Sequence, residues 1–385
     1  MKVLVTTPGG AGHVNQMVPL AQAIAARGHD VLWALPERAA GEIEAAGIRC
    51  AALPFPDAPS PAELRQRFPE LRDLAPEQVP DVMFAKIFGA TYAPPMLDGL
   101  VPVALDWRPD LVVSDIAELA GHIVAAELGV PSVSKSFGSM IPMIRLERAR
   151  NEVAPLWESR GLEPRPYAGA YDHLYIDVYP PELQSPEISR LPHRQLMRLV
   201  NYSGPVDPST PLPLPTDRLD APLVYVTMGT VFNNPDLFAG LVAALADVDV
   251  RVLVTVGPQG DPASLGAQPP HVRVERFVPQ SQVLPLCAVV VSHAGSGTAL
   301  ATLELGIPQL CLPQGADQYL NAAAIAKAGA GLSLPGDAGP EAIGAAVRRL
   351  LDEASFREGS ARVGASIRAM PSPDEVTGVL ESLVA

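Results

Sequence analysis

The chain has 385 residues, 48% of them hydrophobic and 18% charged, with a formal net charge of −14. That length exceeds one ordinary core and predicts two domains, while so acidic a surface repels nucleic acid and anionic membrane. No apolar run reaches the roughly 18 residues of a membrane-spanning helix, and Cys50, Cys287 and Cys311 match no metal-ligand spacing, so they read as reduced thiols of a cytoplasmic protein.

Met1 to Val5 runs straight into a strand pattern, without the basic, apolar and cleavage regions of a signal peptide. In the first part, strands are predicted at 3–6, 31–34, 111–114, 132–135 and 174–178, with helices at 14–26, 81–105 and 116–128. Pro205, Pro208, Pro211, Pro213 and Pro215 then forbid both helix and central strand, which marks a stiff linker and the domain boundary. Beyond it, strands are predicted at 223–227, 251–256, 272–276, 289–292 and 309–312, with helices at 235–246, 298–305, 316–328 and 340–353. This alternation predicts an α/β protein with two doubly wound parallel-sheet domains, residues 1–204 and 222–369, joined by the linker 205–221 and facing each other across a cleft. The halves also echo each other. Ala125 to Val133 and Thr302 to Leu310 both run from a helix end through a glycine and a proline into a strand.

The stretch Ser292-His293-Ala294-Gly295-Ser296-Gly297-Thr298 follows a buried strand run and opens a helix. Such a turn leaves backbone N–H groups unpaired at the positive end of the helix dipole, which suits a diphosphate; the alternative is a tight turn without a ligand. Thr227 to Thr230 ends an earlier strand in small residues able to approach a phosphate. Phe277-Val278-Pro279-Gln280 follows another strand, where it can wall a flat base or simply leave the sheet. Asp317-Gln318 opens a helix and offers acceptors and donors to sugar hydroxyls, or else Asp317 caps that helix. Asp247-Val248-Asp249 has the Asp-x-Asp form of a metal-holding motif, but it precedes a strand and so sits at the wrong sheet edge.

The first strand ends in Thr6-Thr7-Pro8-Gly9-Gly10-Ala11-Gly12-His13. The third glycine of a dinucleotide fingerprint is missing, since Asn15 occupies its place. His13 stands at a helix start on the cleft side of the sheet, either as a proton acceptor or as a cap. Asp115 ends a strand at the same edge, either orienting the imidazole or capping a helix.

Taken together, Gly12-His13-Val14-Asn15-Gln16-Met17-Val18-Pro19-Leu20, Phe277-Val278-Pro279-Gln280, the 292–298 stretch and Pro313-Gln314-Gly315-Ala316-Asp317-Gln318-Tyr319-Leu320-Asn321-Ala322 resemble the GT-B nucleotide-sugar glycosyltransferases of family 1, of the actinobacterial antibiotic and secondary-metabolite type. Gln16 stands where that family usually has proline. The resemblance implies two facing Rossmann-like domains, with residues 370–385 forming a final helix that returns to the first. It implies a metal-independent, cofactor-free, inverting hexosyltransferase that moves a sugar from a dTDP- or UDP-sugar to a hydroxyl of an apolar natural-product aglycone. His13 would be the base and Asp115 its orienting carboxylate. Thr230, His293, Gly295, Ser296, Gly297 and Thr298 would hold the diphosphate. Phe277, Val278 and Gln280 would hold the donor base, and Asp317 and Gln318 the sugar.

Phe84, Phe88, Met96, Phe137, Met140 and Met143 are expected to line an apolar acceptor pocket, although each taken singly reads as core. Carbon-linked transfer to an aromatic polyketide, and an epimerase or hydrolase on the same fold, stand as alternative functions. Oligomeric state is left open, a homodimer included.

Overall fold

The computed structural model describes residues 1–57, 59–72, 74, 79–207, 209–229 and 235–384. The chain divides into two compact units. The first comprises Met1–Val178, Ser185–Met197 and a last segment beginning at Pro371; the second comprises Tyr179–Gln184 and Arg198–Met370.

The first unit contains β1 (Lys2–Thr6), β2 (Asp30–Pro36), β3 (Cys50–Leu53), β4 (Leu111–Asp115), β5 (Ser132–Lys135), β6 (Leu174–Asp177) and β7 (Arg194–Leu196). They pair in parallel in the order β3-β2-β1-β4-β5-β6-β7. Every residue of β4 is buried, as expected of a central parallel strand covered on both faces. Leu4, Val112 and Tyr175 from the sheet pack with Met96, Ile123, Leu146 and Trp157 from the helices above it. The last helix, Pro373–Val384, packs on the Ala11–Ala26 helix, burying Val376 and Leu380 completely. Arg27 bonds to Asp374 at 2.8 Å and to Glu381 at 3.1 Å, while His29 meets Glu381 at 2.8 Å.

The second unit contains β8 (Leu223–Thr227), β9 (Arg251–Thr255), β10 (Val272–Glu275), β11 (Val289–Ser292), β12 (Gln309–Cys311) and β13 (Gly331–Ser333), in the order β10-β9-β8-β11-β12-β13. Alternate residues of β8 point to opposite faces. Val224 and Val226 join one cluster with Phe238, Val254 and Leu350, whereas Leu223 and Tyr225 join another with Leu253, Val290 and Ile307. Leu212 and Leu214 of the proline-rich stretch pack against that second cluster.

The helix predicted at 81–105 is divided. It runs as an α-helix over Val79–Phe84, widens to a π-helix over Ala85–Tyr92, and resumes over Ala93–Trp107. Pro94 and Pro95 lack the N–H groups that would bond to the carbonyls of residues 90 and 91. The chain shifts to five-residue spacing there: Ala93 N–H donates to the Phe88 carbonyl, and Thr91 Oγ1 donates to the Lys86 carbonyl at 2.7 Å. The helix predicted at 116–128 begins only at Ala120, because residues 116–119 form a buried turn held by the Asp115 and Glu118 carboxylates. Strands β3, β7 and β13, three or four residues each, and the helices Met143–Ser159 and Ala354–Arg368 are additional to those predicted. Gly129 and Gly306, the glycines of the repeated helix-end pattern, both have positive φ, at 69° and 73°.

Gly121 lies where the Ala120–Leu128 helix crosses the sheet. A Cβ there would overlap Ser114 Oγ and lie 2.9 Å from Glu118 Oε2 and 3.1 Å from Thr6 Cγ2. Gly121→Ala should therefore destabilise the first unit by about 1–3 kcal/mol, the usual penalty of overpacking. Urea denaturation followed by circular dichroism measures this, and an unchanged midpoint would show that the helix moves aside freely.

Candidate active site

In each sheet the strand order reverses at its first strand, between β1 and β4 and between β8 and β11. Ligands of doubly wound sheets bind at the carboxyl edge of such a reversal. The singled-out turns leave these strands.

In the first unit, Gly10 takes φ 86° and opens the Ala11–Ala26 helix, which puts His13 in its first turn. His13 Nδ1 lies 3.0 Å from Asp115 Oδ1. Asp115 is 1% exposed, and Oδ1 also accepts from the Ala117 N–H at 2.9 Å. An ionised carboxylate only accepts, so the proton of a neutral His13 sits on Nδ1 and the lone pair on Nε2. Asp115 is thus four residues ahead of the helix N-cap, Leu119, and organises the turn before it. Phe137 meets the imidazole edge-on at a centroid distance of 4.7 Å, and Phe88 does so at 5.9 Å.

Of the other expected acceptor residues, Phe84 packs against Phe88 with ring centroids 5.0 Å apart and planes tilted by 46°. Met96, Met140 and Met143 are buried in the core cluster, and Met96 and Met140 are only 1% exposed. Their side chains are core, while Phe88 and Phe137 are partly open beside His13.

Two buried ionisable groups adjoin the dyad, neither of them in a motif that the sequence marks. The Glu118 carboxylate accepts from Ala120 N–H at 2.8 Å, Gly121 N–H at 3.0 Å and the Thr6 hydroxyl, while burial pushes its pKa up. Lys135 is the lateral neighbour of Asp115 across β4 and β5; its ammonium donates to the Ser136 carbonyl at 2.9 Å. Burial pulls this lysine down to about 8, against the opposing attraction of Asp115. A lysine in a strand otherwise fully buried is the signal that would have drawn notice.

In the second unit, Gly295 is the N-cap of the Ser296–Glu304 helix, and Ala299 N–H donates to the Gly295 carbonyl at 2.9 Å. The N–H groups of Ser296, Gly297 and Thr298 therefore have no partner within the helix. The His293 imidazole lies between two glycines. A Cβ on Gly229, whose φ is 74°, would come within 2.7 Å of the ring, and one on Gly295 would overlap it. Thr230, expected near the phosphates, lies outside the described residues.

Ala294 has φ 62°, a left-handed conformation unusual for a residue with a side chain. A polar network surrounds it. Asn321 Nδ2 lies 3.0 Å from the Ala294 carbonyl, 3.0 Å from Ser296 Oγ and 2.9 Å from Asp317 Oδ2. Ser296 Oγ donates to the same Asp317 oxygen at 2.8 Å, and the Tyr179 hydroxyl donates to Asn321 Oδ1 at 2.9 Å. Asp317 occupies the N-cap position of the Gln318–Lys327 helix, but its side chain does not cap that helix. Gln318 Oε1 accepts from the Gln314 and Gly315 N–H groups at 2.7 and 3.0 Å, which closes the preceding turn.

Phe277 is exposed. Val278 is 2% exposed and packs with Tyr225 and Val290, so its side chain is core and only its backbone can face a base. Gln280 and Thr298 bond through their side chains at 3.1 Å, linking the turn at 277–280 to the Ser296–Glu304 helix. Among the described residues, no cluster of three or more His, Cys, Asp or Glu is placed to hold a metal, and no helix is long and apolar enough to cross a membrane.

Residues 74–208 match the N-terminal domain, and residues 239–383 the C-terminal domain, of the Erythromycin biosynthesis protein CIII-like family. The chain is similar to the elloramycin glycosyltransferase ElmGT of Streptomyces olivaceus, 33% identical across 99% of this chain and 97% of that one. Two solved structures cover it end to end at 28% identity. The glycosyltransferase VinC in complex with dTDP has a TM-score of 0.82 and covers 100% of this chain and 99% of its own. The spinosyn rhamnosyltransferase SpnG complexed with spinosyn aglycone has a TM-score of 0.83 and covers 99% and 100%.

Burial holds His293 down to about 4, outweighing the upward pull of Asp317 and of its bond to the Thr227 backbone. A histidine depressed on folding stabilises the native state above its unfolded pKa of about 6.5, and that contribution is lost as pH falls from there toward 4. The full loss is on the order of 3 kcal/mol. Calorimetric melting of wild type and His293→Asn between pH 7 and pH 5 should show a shallower acid decline in the variant; parallel declines would contradict a buried neutral imidazole.

Proposed function

The chain belongs to the Erythromycin biosynthesis protein CIII-like family and is a glycosyltransferase, and from that premise we propose that it moves a deoxysugar, with inversion, from a dTDP-sugar to a hydroxyl of a large apolar aglycone. The observation that carries this reading is the 3.0 Å bond between His13 and buried Asp115, which turns the lone pair of Nε2 outward from the dyad. The dTDP bound to VinC and the spinosyn aglycone bound to SpnG support the choice of donor nucleotide and acceptor class.

In this reading the acceptor hydroxyl lies against Phe88 and Phe137, which present apolar edges beside the imidazole. His13 Nε2 takes the hydroxyl proton as the oxygen attacks the anomeric carbon, and Asp115 stabilises the imidazolium that forms. The leaving nucleoside diphosphate departs from the opposite face of the sugar, so the anomeric configuration inverts. Its developing negative charge falls on the N–H groups of Ser296, Gly297 and Thr298 and on His293, donors already oriented before reaction. Asp317 keeps one carboxylate oxygen in the Ser296–Asn321 network and offers the other to a sugar hydroxyl, with Gln318 beside it. Phe277 and the backbone at Val278 take the thymine ring, and Gln280 ties that wall to the phosphate helix.

Two experiments bear on the two halves of this assignment. His13→Ala should lower kcat by roughly 10²–10⁴, the usual worth of a general base, with dTDP affinity close to wild type; normal turnover of the variant with a dTDP-sugar and an aromatic polyketide acceptor would remove His13 as the base. In isothermal titration, His293→Ala should weaken dTDP binding, and an unchanged dissociation constant would refute the diphosphate assignment.

A further inference from the structure

We infer that Tyr179 is a positioning residue for the diphosphate turn, acting through Asn321; this rests on the donor-site reading above. The turn contains an alanine in left-handed backbone, a conformation kept only where its surroundings over-determine it. Its carbonyl, the Ser296 hydroxyl and one Asp317 oxygen converge on a single nitrogen, Asn321 Nδ2. Three acceptors around one amide nitrogen fix which way that amide faces, because the reverse orientation would set its oxygen against three oxygens.

The other end of the amide is then an acceptor inside the protein, where Asn321 is completely buried. The Tyr179 hydroxyl, on a side chain 1% exposed, donates to it at 2.9 Å. Without that hydroxyl, Oδ1 is left without this donor in a buried position, and the side chain can relieve the cost only by rotating away from Ala294 and Ser296. Those two residues set the aim of the first helical N–H groups. Tyr179 therefore supports the phosphate donors without touching the ligand.

Tyr179 precedes Asn321 by 142 positions and follows β6 of the other sheet, yet the short segment Tyr179–Gln184 belongs to the second unit. A further bond, from Ser366 Oγ to Glu182 at 2.9 Å, fastens the same segment there. The segment thus adds an element to the donor site that the local sequence signature does not contain.

The test uses the full-length chain. Tyr179→Phe should weaken dTDP binding about tenfold, the equivalent of one hydrogen bond in a buried site, and raise the donor KM while the acceptor KM stays constant. In an Asn321→Ala background the same substitution should have no further effect. Binding within twofold of wild type would overturn the inference. So would equal rises in both KM values, or a loss that persists undiminished in the Asn321→Ala background. If Asn321→Ala does not fold, the comparison of Tyr179→Phe with wild type decides alone. His293→Ala separates the two levels. If it weakens dTDP binding while Tyr179→Phe does not, only the positioning role fails; if neither does, the donor-site reading fails with it.

Discussion

Reversal of strand order in a parallel sheet is the constraint from which the chemistry of this chain follows. Right-handed crossovers that leave in both directions from one strand must cover opposite faces, which opens a crevice at the carboxyl edge beside that strand. At β1 and β4 the crevice receives His13 and Asp115; at β8 and β11 it receives Gly229 and the 293–298 turn. Each turn must also start a helix, so each brings N–H groups that the helix itself does not use. The first unit uses them to hold carboxylates, whereas in the second those of Ser296, Gly297 and Thr298 have no partner within the helix.

The first unit buries Asp115 and Glu118 only three residues apart, and buried charge is tolerated only when hydrogen-bonded. The Ala117 N–H serves Asp115, and the Ala120 and Gly121 N–H groups serve Glu118. The late start of the Ala120–Leu128 helix follows from this, since its first N–H groups are already engaged by side chains. The turn spends four residues that the hydrophobic pattern would have made helical, and in return Asp115 becomes a fixed acceptor that permits only one tautomer of His13.

Much of this was legible in the sequence. Strands of β-branched residues between turn signals were placed to within a residue or two, as at 132–135, 223–227 and 289–292, because a parallel strand buried on both faces has a continuous apolar pattern. The turns that carry His13, Asp115 and His293 were readable because they break that pattern with small and polar residues. Edge strands such as β7 and β13 were not, since three residues carry no period. Side-chain direction was also hidden. Val278, Met96 and Met140 look available for ligands as residue types, but each packs inward. Tyr179 was beyond reach for a different reason: its partner is set by where the chain travels between units, which no local pattern records.

The acidity of the chain bears on the proposed diphosphate site. None of the groups assigned to the diphosphate is a lysine or arginine; all are main-chain N–H groups, hydroxyls or an imidazole that burial keeps neutral. A net charge of −14 would repel a diphosphate at long range, so in the proposed reading its capture would depend on short-range, oriented dipoles. Dipoles of this kind favour the anion most where charge is concentrated, which is on the leaving group after the sugar–oxygen bond begins to break. In the proposed reading, rigid neutral donors would shift the balance toward the transition state, and the left-handed Ala294 backbone and the Asn321 network would supply that rigidity.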